Sequence, residues 1–135
     1  MKDLFWEEKG IEMRNGGDPQ AGSDDNNIVS VQDNKIYFYS EVSRPKILAL
    51  NKSIIRVGNS IKNRSQVLGA SDVPIELHIC SYGGSVFSGF AAVDYILNSQ
   101  APVHSYIDGC AASAATIMSV VADERYMHRH SFMLI

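Results

Sequence analysis

The chain has 135 residues, 45% of them apolar, and its formal net charge is −3 at neutral pH. This length and apolar content suffice for one domain with a moderate core and give no indication of a second. The apolar stretches are too short for a membrane span, the charge argues against nucleic acid, and an acidic N-terminus without a signal peptide indicates a cytoplasmic protein.

Residues 1–34 are predicted to form an acidic, flexible N-terminal segment. They hold eight acidic side chains against three basic ones, which gives this segment a net charge of about −5 and the remainder about +2. Residues 15–27 offer almost no side chains for a core, so they are expected to be mobile. The folded domain is expected to cover residues 35–135.

Strand and helix patterns alternate through this second unit. Residues 35–40 alternate as a strand, and Ser43 with Pro45 indicates the start of a helix. The apolar positions of that helix repeat at steps of three and four. They are Ile47, Leu50, Ile54, Val57 and Ile61.

The same alternation continues to the end of the chain. Strands are predicted at 75–80 and 103–107, and a further strand pattern covers 125–135. A helix between the first two has an apolar stripe of Val86, Phe90, Val93 and Leu97, and another helix is predicted to begin near Cys110. This order indicates an α/β domain with a mainly parallel sheet and right-handed crossovers.

Two glycine-containing turns lie where predicted strands end, the edge at which α/β proteins place their sites. They cover residues 81–85 and 108–114. Gly83 and Gly84 can leave backbone amides open to an oxyanion, and the second turn can hold the Ser113 hydroxyl at the start of a helix. Either turn alone is compatible with a purely structural role. Together they predict an acyl-transfer site.

Residues 75–86 and 109–114 resemble two motifs of the ClpP family, the proteolytic subunits of the Clp protease, which are serine peptidases with the crotonase-like fold. The resemblance extends over about residues 35–135. It implies that Ser113 is the catalytic nucleophile and that the amides of Gly84 and Ala114 form the oxyanion hole. It further implies that three residues contact the backbone of a peptide that adds as an antiparallel strand. These are Gly83, Ser85 and Val86.

The resemblance also implies the partners. They are a peptide or unfolded-protein substrate, further copies of the chain in a ring-shaped homo-oligomer, and an ATP-driven unfoldase of the Clp type. No cofactor is implied, and we assign no metal site and no disulfide. Tyr82 and Ala114 stand where the family usually has proline and methionine, which is expected to alter the shape of the pocket more than its chemistry.

The catalytic base is the main departure from the family pattern. The family's histidine follows the strand that resembles residues 131–135, and an aspartate comes later; neither is present in the 135 residues. The four histidines of the chain are His78, His104, His128 and His130. All four are expected to be packing or surface residues, and no lysine follows Ser113. We therefore expect the truncated chain alone to be inactive.

Several alternatives stay open at this point. The chain is either a fragment or a natural short form. A non-catalytic subunit could use the same turns to bind a peptide or join a ring, and a crotonase-type acyl-CoA enzyme could use paired amides without a nucleophilic serine. Cys110 is a conceivable thiol nucleophile, although it also lacks an identified base.

Overall fold

The computed structural model describes residues 28–135, in which six strands and three helices alternate. The strands are β1 (Ile28–Gln32), β2 (Lys35–Tyr39), β3 (Ile75–Ser81), β4 (Val103–Ala112), β5 (Glu124–Met127) and β6 (Phe132–Leu134). The helices are α1 (Arg44–Leu68), α2 (Val86–Leu97) and α3 (Ala114–Val120). Much of the predicted flexible segment, including residues 15–27, lies outside the described residues.

The strands form one mixed sheet in the order β1-β2-β3-β4-β5, with β6 also paired to β4. Among the described strands, only β1 and β2 pair in antiparallel orientation, as a hairpin. Strand β1 was not among the strands predicted from the sequence. Every strand from β2 onward pairs in parallel, because a helix or a longer turn separates each from the next. The predicted α/β class with a mainly parallel sheet is confirmed.

Helix α1 begins and packs as predicted. Ser43 precedes the helix in extended backbone, Pro45 lies in its first turn, and Gly69 ends it in the left-handed conformation with φ 64°. All five residues of the predicted apolar stripe are buried. They form the core together with one face of β2, β3 and β4 and the buried residues of α2 and α3.

The apolar stripe predicted for α2 is wrong. Val86, Phe90 and Leu97 are about half exposed or more, and α2 instead buries Ser88, Gly89, Ala92 and Ile96. The reason is close packing between helices, since a Cβ atom on Gly89 would lie 2.9 Å from Ile117 Cδ1. Mainly small residues, together with Ile96, therefore face the core, and Val86, Phe90 and Leu97 face outward.

The helix start predicted near Cys110 is also wrong. Strand β4 continues to Ala112 and α3 begins at Ala114, because Cys110, Ala111 and Ala112 pair with β6. The pairing of β4 with β3 shifts register in this region, where Gly109 has φ 89°. The predicted strand at 125–135 is in fact two short strands, β5 and β6, separated by a turn.

No helix in residues 28–135 has both the length and the apolar character that crossing a membrane requires.

Candidate active site

The two glycine-containing turns meet in the structure. A Cβ atom built on Gly83 would lie 2.8 Å from both the Ser113 Cβ and the Ala112 carbonyl oxygen, and 3.2 Å from the Ala114 nitrogen. Only glycine fits at this position, which also has φ 104°. The packing of β3 beside β4 thus brings the first turn directly against the serine.

Ser113 has an unusual backbone conformation. Its φ is 54° and its ψ is −124°, between the end of β4 and the start of α3. Such a conformation costs about 1–3 kcal/mol for a residue with a side chain and persists only where the surroundings hold it. Here the Ser113 amide donates to the Leu134 carbonyl at 2.7 Å, and Thr116 Oγ1 donates to the Ser113 carbonyl at 2.6 Å.

The side chain of Ser113 is exposed although its neighbours Ala112 and Ala114 are buried. A strained turn from strand to helix that presents a serine hydroxyl to solvent is the arrangement of a nucleophile elbow. Nothing in the periodicity of the sequence could indicate this backbone strain.

The predicted oxyanion donors directly follow the two residues in contact, since Gly84 follows Gly83 and Ala114 follows Ser113. Neither the Gly84 amide nor the Ala114 amide has a hydrogen-bond partner among residues 28–135. Gly84 has φ 147°, and a Cβ atom there would lie 2.4 Å from the Val42 carbonyl oxygen. These open amides resemble the donors that stabilise a tetrahedral oxyanion.

The predicted substrate-binding residues have local partners of their own. The Val42 amide donates to the Gly83 carbonyl at 2.8 Å, and the Ser85 amide donates to the Val42 carbonyl at 2.7 Å. Ser85 also caps α2, since its hydroxyl accepts from the Ser88 amide at 3.2 Å. Val86, in the first turn of α2, is 48% exposed. Val42 therefore anchors the glycine turn through Gly83 and Ser85, without a bond to the Gly84 amide.

An open groove runs beside the first turn. Its volume is about 600 Å³, and Gly83, Gly84, Tyr82 and Glu41 contribute to its lining. Tyr82 is 82% exposed, so it forms part of the groove's rim.

The hydroxyl of Ser113 has no hydrogen-bond partner in the described part of the chain. Cys110, the other conceivable nucleophile, is buried, and its Sγ lies 3.5 Å from the Ser81 carbonyl. Burial raises the pKa of the Cys110 thiol, with Cys80 adding to the effect. A protonated, buried thiol is a poor nucleophile.

Two of the histidines have a partner that the sequence did not reveal. His78 Nδ1 lies 2.9 Å from Asp108 Oδ2, and His128 Nε2 lies 3.0 Å from Asp108 Oδ1. The Tyr39 hydroxyl donates to Asp108 Oδ2 at 2.7 Å. The pKa of Tyr39 is raised mainly by burial and secondly by this hydrogen bond. His128 is a surface residue, as expected, with a side chain that is 65% exposed; the sequence did not reveal its contact with Asp108, a residue 20 positions earlier in the chain.

Comparison with known proteins gives a family and a fold. A sequence model of the Clp protease family matches residues 31–135, and the chain therefore belongs to that family. No curated protein sequence matches it.

Solved structures of two organisms share the fold. ClpP1 from Listeria monocytogenes aligns with 75% of this chain at 20% identity and a TM-score of 0.64. The ClpP protease catalytic domain from Plasmodium falciparum aligns with 76% at 19% identity and a TM-score of 0.65. The present chain covers 55% and 54% of those two chains, about half of their length.

Proposed function

We propose that this member of the Clp protease family is a proteolytic subunit, a serine endopeptidase that cleaves peptide bonds through an acyl-serine intermediate. The contact between the two turns carries the proposal. It places an exposed serine in a strained backbone conformation beside two amides that lack hydrogen-bond partners among the described residues. Helix packing alone does not require this combination.

The chemistry assigns one role to each group. Ser113 Oγ attacks the carbonyl carbon of the peptide while a base accepts its proton, and the amides of Gly84 and Ala114 donate to the resulting oxyanion. The amide C–N bond then breaks, and the leaving amine takes up the proton from the base. Water next attacks the acyl-serine, which releases the acid and restores the hydroxyl.

The base is the part that the described residues do not supply. Ser113 Oγ has no histidine partner in residues 28–135, and His78 and His128 both contact Asp108 instead. We propose that the 135-residue chain by itself has negligible peptidase turnover, and that the active site needs a histidine and an aspartate beyond those described. The proposal assigns to the described residues only the nucleophile, Ser113, and the two oxyanion donors, the amides of Gly84 and Ala114.

The substrate is proposed to be an extended peptide or unfolded protein that lies along the glycine turn. The Gly83 carbonyl and the Ser85 amide are already hydrogen-bonded to Val42. The contribution of these two residues is therefore to maintain the conformation of the turn beside the peptide. The Gly84 amide then faces the scissile carbonyl, and the exposed Val86 side chain contacts the peptide. In this mode main-chain hydrogen bonds give affinity, and contacts with the side chains of the peptide give specificity.

Assembly into a homo-oligomeric ring, and partnership with an ATP-driven Clp-type unfoldase in the cytoplasm, are further parts of the proposal. The outward face of α2 supports the oligomer, because Phe87 is 85% exposed and Phe90 is 52% exposed. Contiguous exposed apolar side chains mark interaction surfaces more often than they mark free surface.

A second candidate function is peptide binding without cleavage. The absence of a base on Ser113 within the described residues favours it, since an unactivated serine hydroxyl is a weak nucleophile. In this case the same turns hold a peptide in a ring whose other subunits supply the cleavage.

A pair of peptide ligands tests the catalytic proposal. A peptide ending in a boronic acid can form a tetrahedral adduct with a serine hydroxyl, whereas the same peptide ending in a carboxylate cannot. We expect the boronate to bind more tightly, because its tetrahedral adduct would accept hydrogen bonds from the amides of Gly84 and Ala114, and Ser113→Ala to abolish the difference. Equal affinities of the folded wild-type chain for both peptides would favour the binding-only candidate.

Turnover tests the missing base. With a fluorogenic peptide, we expect the wild-type chain and Ser113→Ala to show the same background rate. Hydrolysis that depends on Ser113 would contradict this part of the proposal.

A further inference from the structure

A row of stacked rings crosses the face of the sheet opposite the helices. Tyr37, His78, Tyr106 and Tyr126 come from four successive strands, β2 to β5, and their neighbouring ring centroids lie 4.8, 4.9 and 4.8 Å apart. The strand register places these residues directly opposite one another. His78 is therefore held in a fixed orientation by a ring on each side.

Beside this row lies a cluster of His78, Asp108 and His128, called here the histidine–aspartate cluster. One nitrogen or carboxylate oxygen from each residue lies within 4.8 Å of the other two. The side chains of His78 and Asp108 are only 13% and 14% exposed, whereas His128 is 65% exposed. The cluster thus has two fixed members and one member that solvent can reach.

The hydrogen bonds of the cluster are incomplete. His78 Nε2 and Asp108 Oδ1 are buried, and neither has a hydrogen-bond partner in the described part of the chain. His78 Nε2 lies 3.7 Å from Glu76 Oε1, so Asp108 Oδ1 is the unsatisfied atom that faces the cluster. Asp108 Oδ1 is 3.0 Å from His128 Nε2, yet the two atoms are not hydrogen-bonded. A cation shared by Asp108 Oδ1 and His128 Nε2 would require this arrangement, in which the two atoms lie close together without a hydrogen bond. Leaving a buried polar atom such as Asp108 Oδ1 unpaired costs free energy.

We propose that the histidine–aspartate cluster binds a divalent transition-metal cation of the zinc class. Two imidazoles and one carboxylate are a donor set that Zn²⁺ accepts, with water in a fourth position. Tetrahedral coordination at a Zn–N distance near 2.0 Å needs ligand atoms about 3.3 Å apart, so small side-chain rotations suffice. The site stands independently of the proposed peptidase function, because no step of that chemistry uses these residues.

The surroundings favour a metal over a cluster that is held by one hydrogen bond and one charge contact alone. Tyr39 donates to Asp108 Oδ2, which orients the carboxylate in the way that outer hydrogen bonds orient metal ligands. The Lys35 ammonium forms an ion pair with Glu76, so this cation is paired with the Glu76 carboxylate and not with Asp108. A metal here would tie β3 and β4 to the turn after β5, the segment that leads into β6 and hence to the Leu134 carbonyl that holds Ser113.

Zinc binding by the full 135-residue chain tests the proposal. The chain is first dialysed against a chelator and is then titrated with Zn²⁺ in competition with a chromophoric chelator; Co²⁺ is added separately to record its absorption spectrum. We expect one Zn²⁺ per chain, a Co²⁺ spectrum typical of tetrahedral coordination, and a rise in Tm with the metal.

Four variants locate the site. His128→Ala alters an exposed side chain, so it is expected to fold, and it should remove stoichiometric binding, as should Asp108→Asn. Tyr39→Phe keeps all three ligands and should weaken binding by about 10–100-fold. The matched control is His130→Ala, which removes another exposed histidine from the same turn and should bind Zn²⁺ as the wild type does.

Three results would overturn the proposal. They are no Zn²⁺ binding by the folded wild-type chain, equal binding by His128→Ala and the wild type, and equal losses in His128→Ala and His130→Ala. The first would show that the cluster is held only by the His78–Asp108 hydrogen bond and the His128–Asp108 charge contact. Either of the others would assign the bound zinc to surface histidines. If Asp108→Asn fails to fold, the comparison of His128→Ala with His130→Ala decides alone.

Discussion

Gly83 and Ser113 are in direct contact: a Cβ atom on the glycine would lie 2.8 Å from the Cβ of the serine. The residues are 30 positions apart in the chain, and the parallel pairing of β3 with β4 brings them together. This contact fixes the position of the serine relative to the Gly84 amide. Stability and chemistry at the site therefore depend on the same few atoms.

Gly83→Ala is expected to destabilise the protein substantially. The backbone conformation alone costs an alanine about 1–3 kcal/mol, and the clash with the Ala112 carbonyl oxygen adds to this. The control is Gly69→Ala, which is also at positive φ but has open space around it and should cost about 1–2 kcal/mol. Urea unfolding measures both values, and equal losses would show that Gly83 does not pack tightly against the serine.

Ser113 should store strain that a glycine relieves. Both Ser113→Gly and Ser113→Ala remove the hydroxyl, but only glycine adopts φ 54° without steric cost. We expect the glycine variant to be about 1 kcal/mol more stable towards unfolding than the alanine variant. An alanine variant that is as stable as the glycine variant would argue against a strained elbow.

The outward face of α2 should serve association rather than folding. Phe87→Ser is expected to change the free energy of unfolding of the monomer by no more than about 0.5 kcal/mol, as for other exposed residues, while lowering the mass observed in sedimentation. Val67→Ser is the control, because Val67 at the end of α1 is 84% exposed and lies far along the chain from α2. If both variants sediment as the wild type does, this face is not an interface.

The Lys35–Glu76 ion pair predicts a pH dependence. The hydrogen bond from Lys35 lowers the pKa of Glu76 below 4.5, against the opposing effect of burial, and the bond to Glu76 raises the pKa of Lys35 above 10.5. A carboxyl with a lowered folded-state pKa stabilises the fold above its unfolded pKa, and this stability is lost as the pH falls through the folded value. A lysine with a raised pKa stabilises below 10.5 and loses this contribution as the pH rises further.

The stability advantage of the wild type over Glu76→Gln should therefore be constant near neutral pH and should shrink as the pH falls below about 4.5. Chemical unfolding at a series of pH values measures this difference. Lys35→Met should reduce the acid-side dependence as well. A difference between wild type and Glu76→Gln that does not change between pH 7 and pH 3 would contradict the assigned ion pair.

The order of the elements and much of the core could be predicted, because local signals determine them. Ser43, Pro45 and the stripe of α1 are sufficient to place that helix, and the alternation in β3 shows which of its residues are buried. The face of α2 could not be predicted in this way. Gly89 faces α3 because the two helices pack closely, and periodicity favours large apolar residues over small ones.

Long-range pairing explains the other differences. Strand β4 continues to Ala112 because β6, 20 residues later, pairs with it, whereas the local composition of small residues favours a helix. The histidine–aspartate cluster draws on β3, β4 and the turn after β5, and no spacing along the chain reveals it. The two motifs contain Ser113 and Gly84, but only the folded structure shows that their turns are in contact.

The central claim is that the amides of Gly84 and Ala114 converge on the Ser113 hydroxyl. Amide NMR spectra of the ¹⁵N-labelled chain, recorded with and without a peptide boronic acid, test it most directly. We predict that the Gly84 and Ala114 amide protons both shift downfield as an adduct forms, and that neither shifts in Ser113→Ala. A boronate adduct on Ser113 that leaves either amide unshifted, or shifts that persist in Ser113→Ala, would contradict the claim.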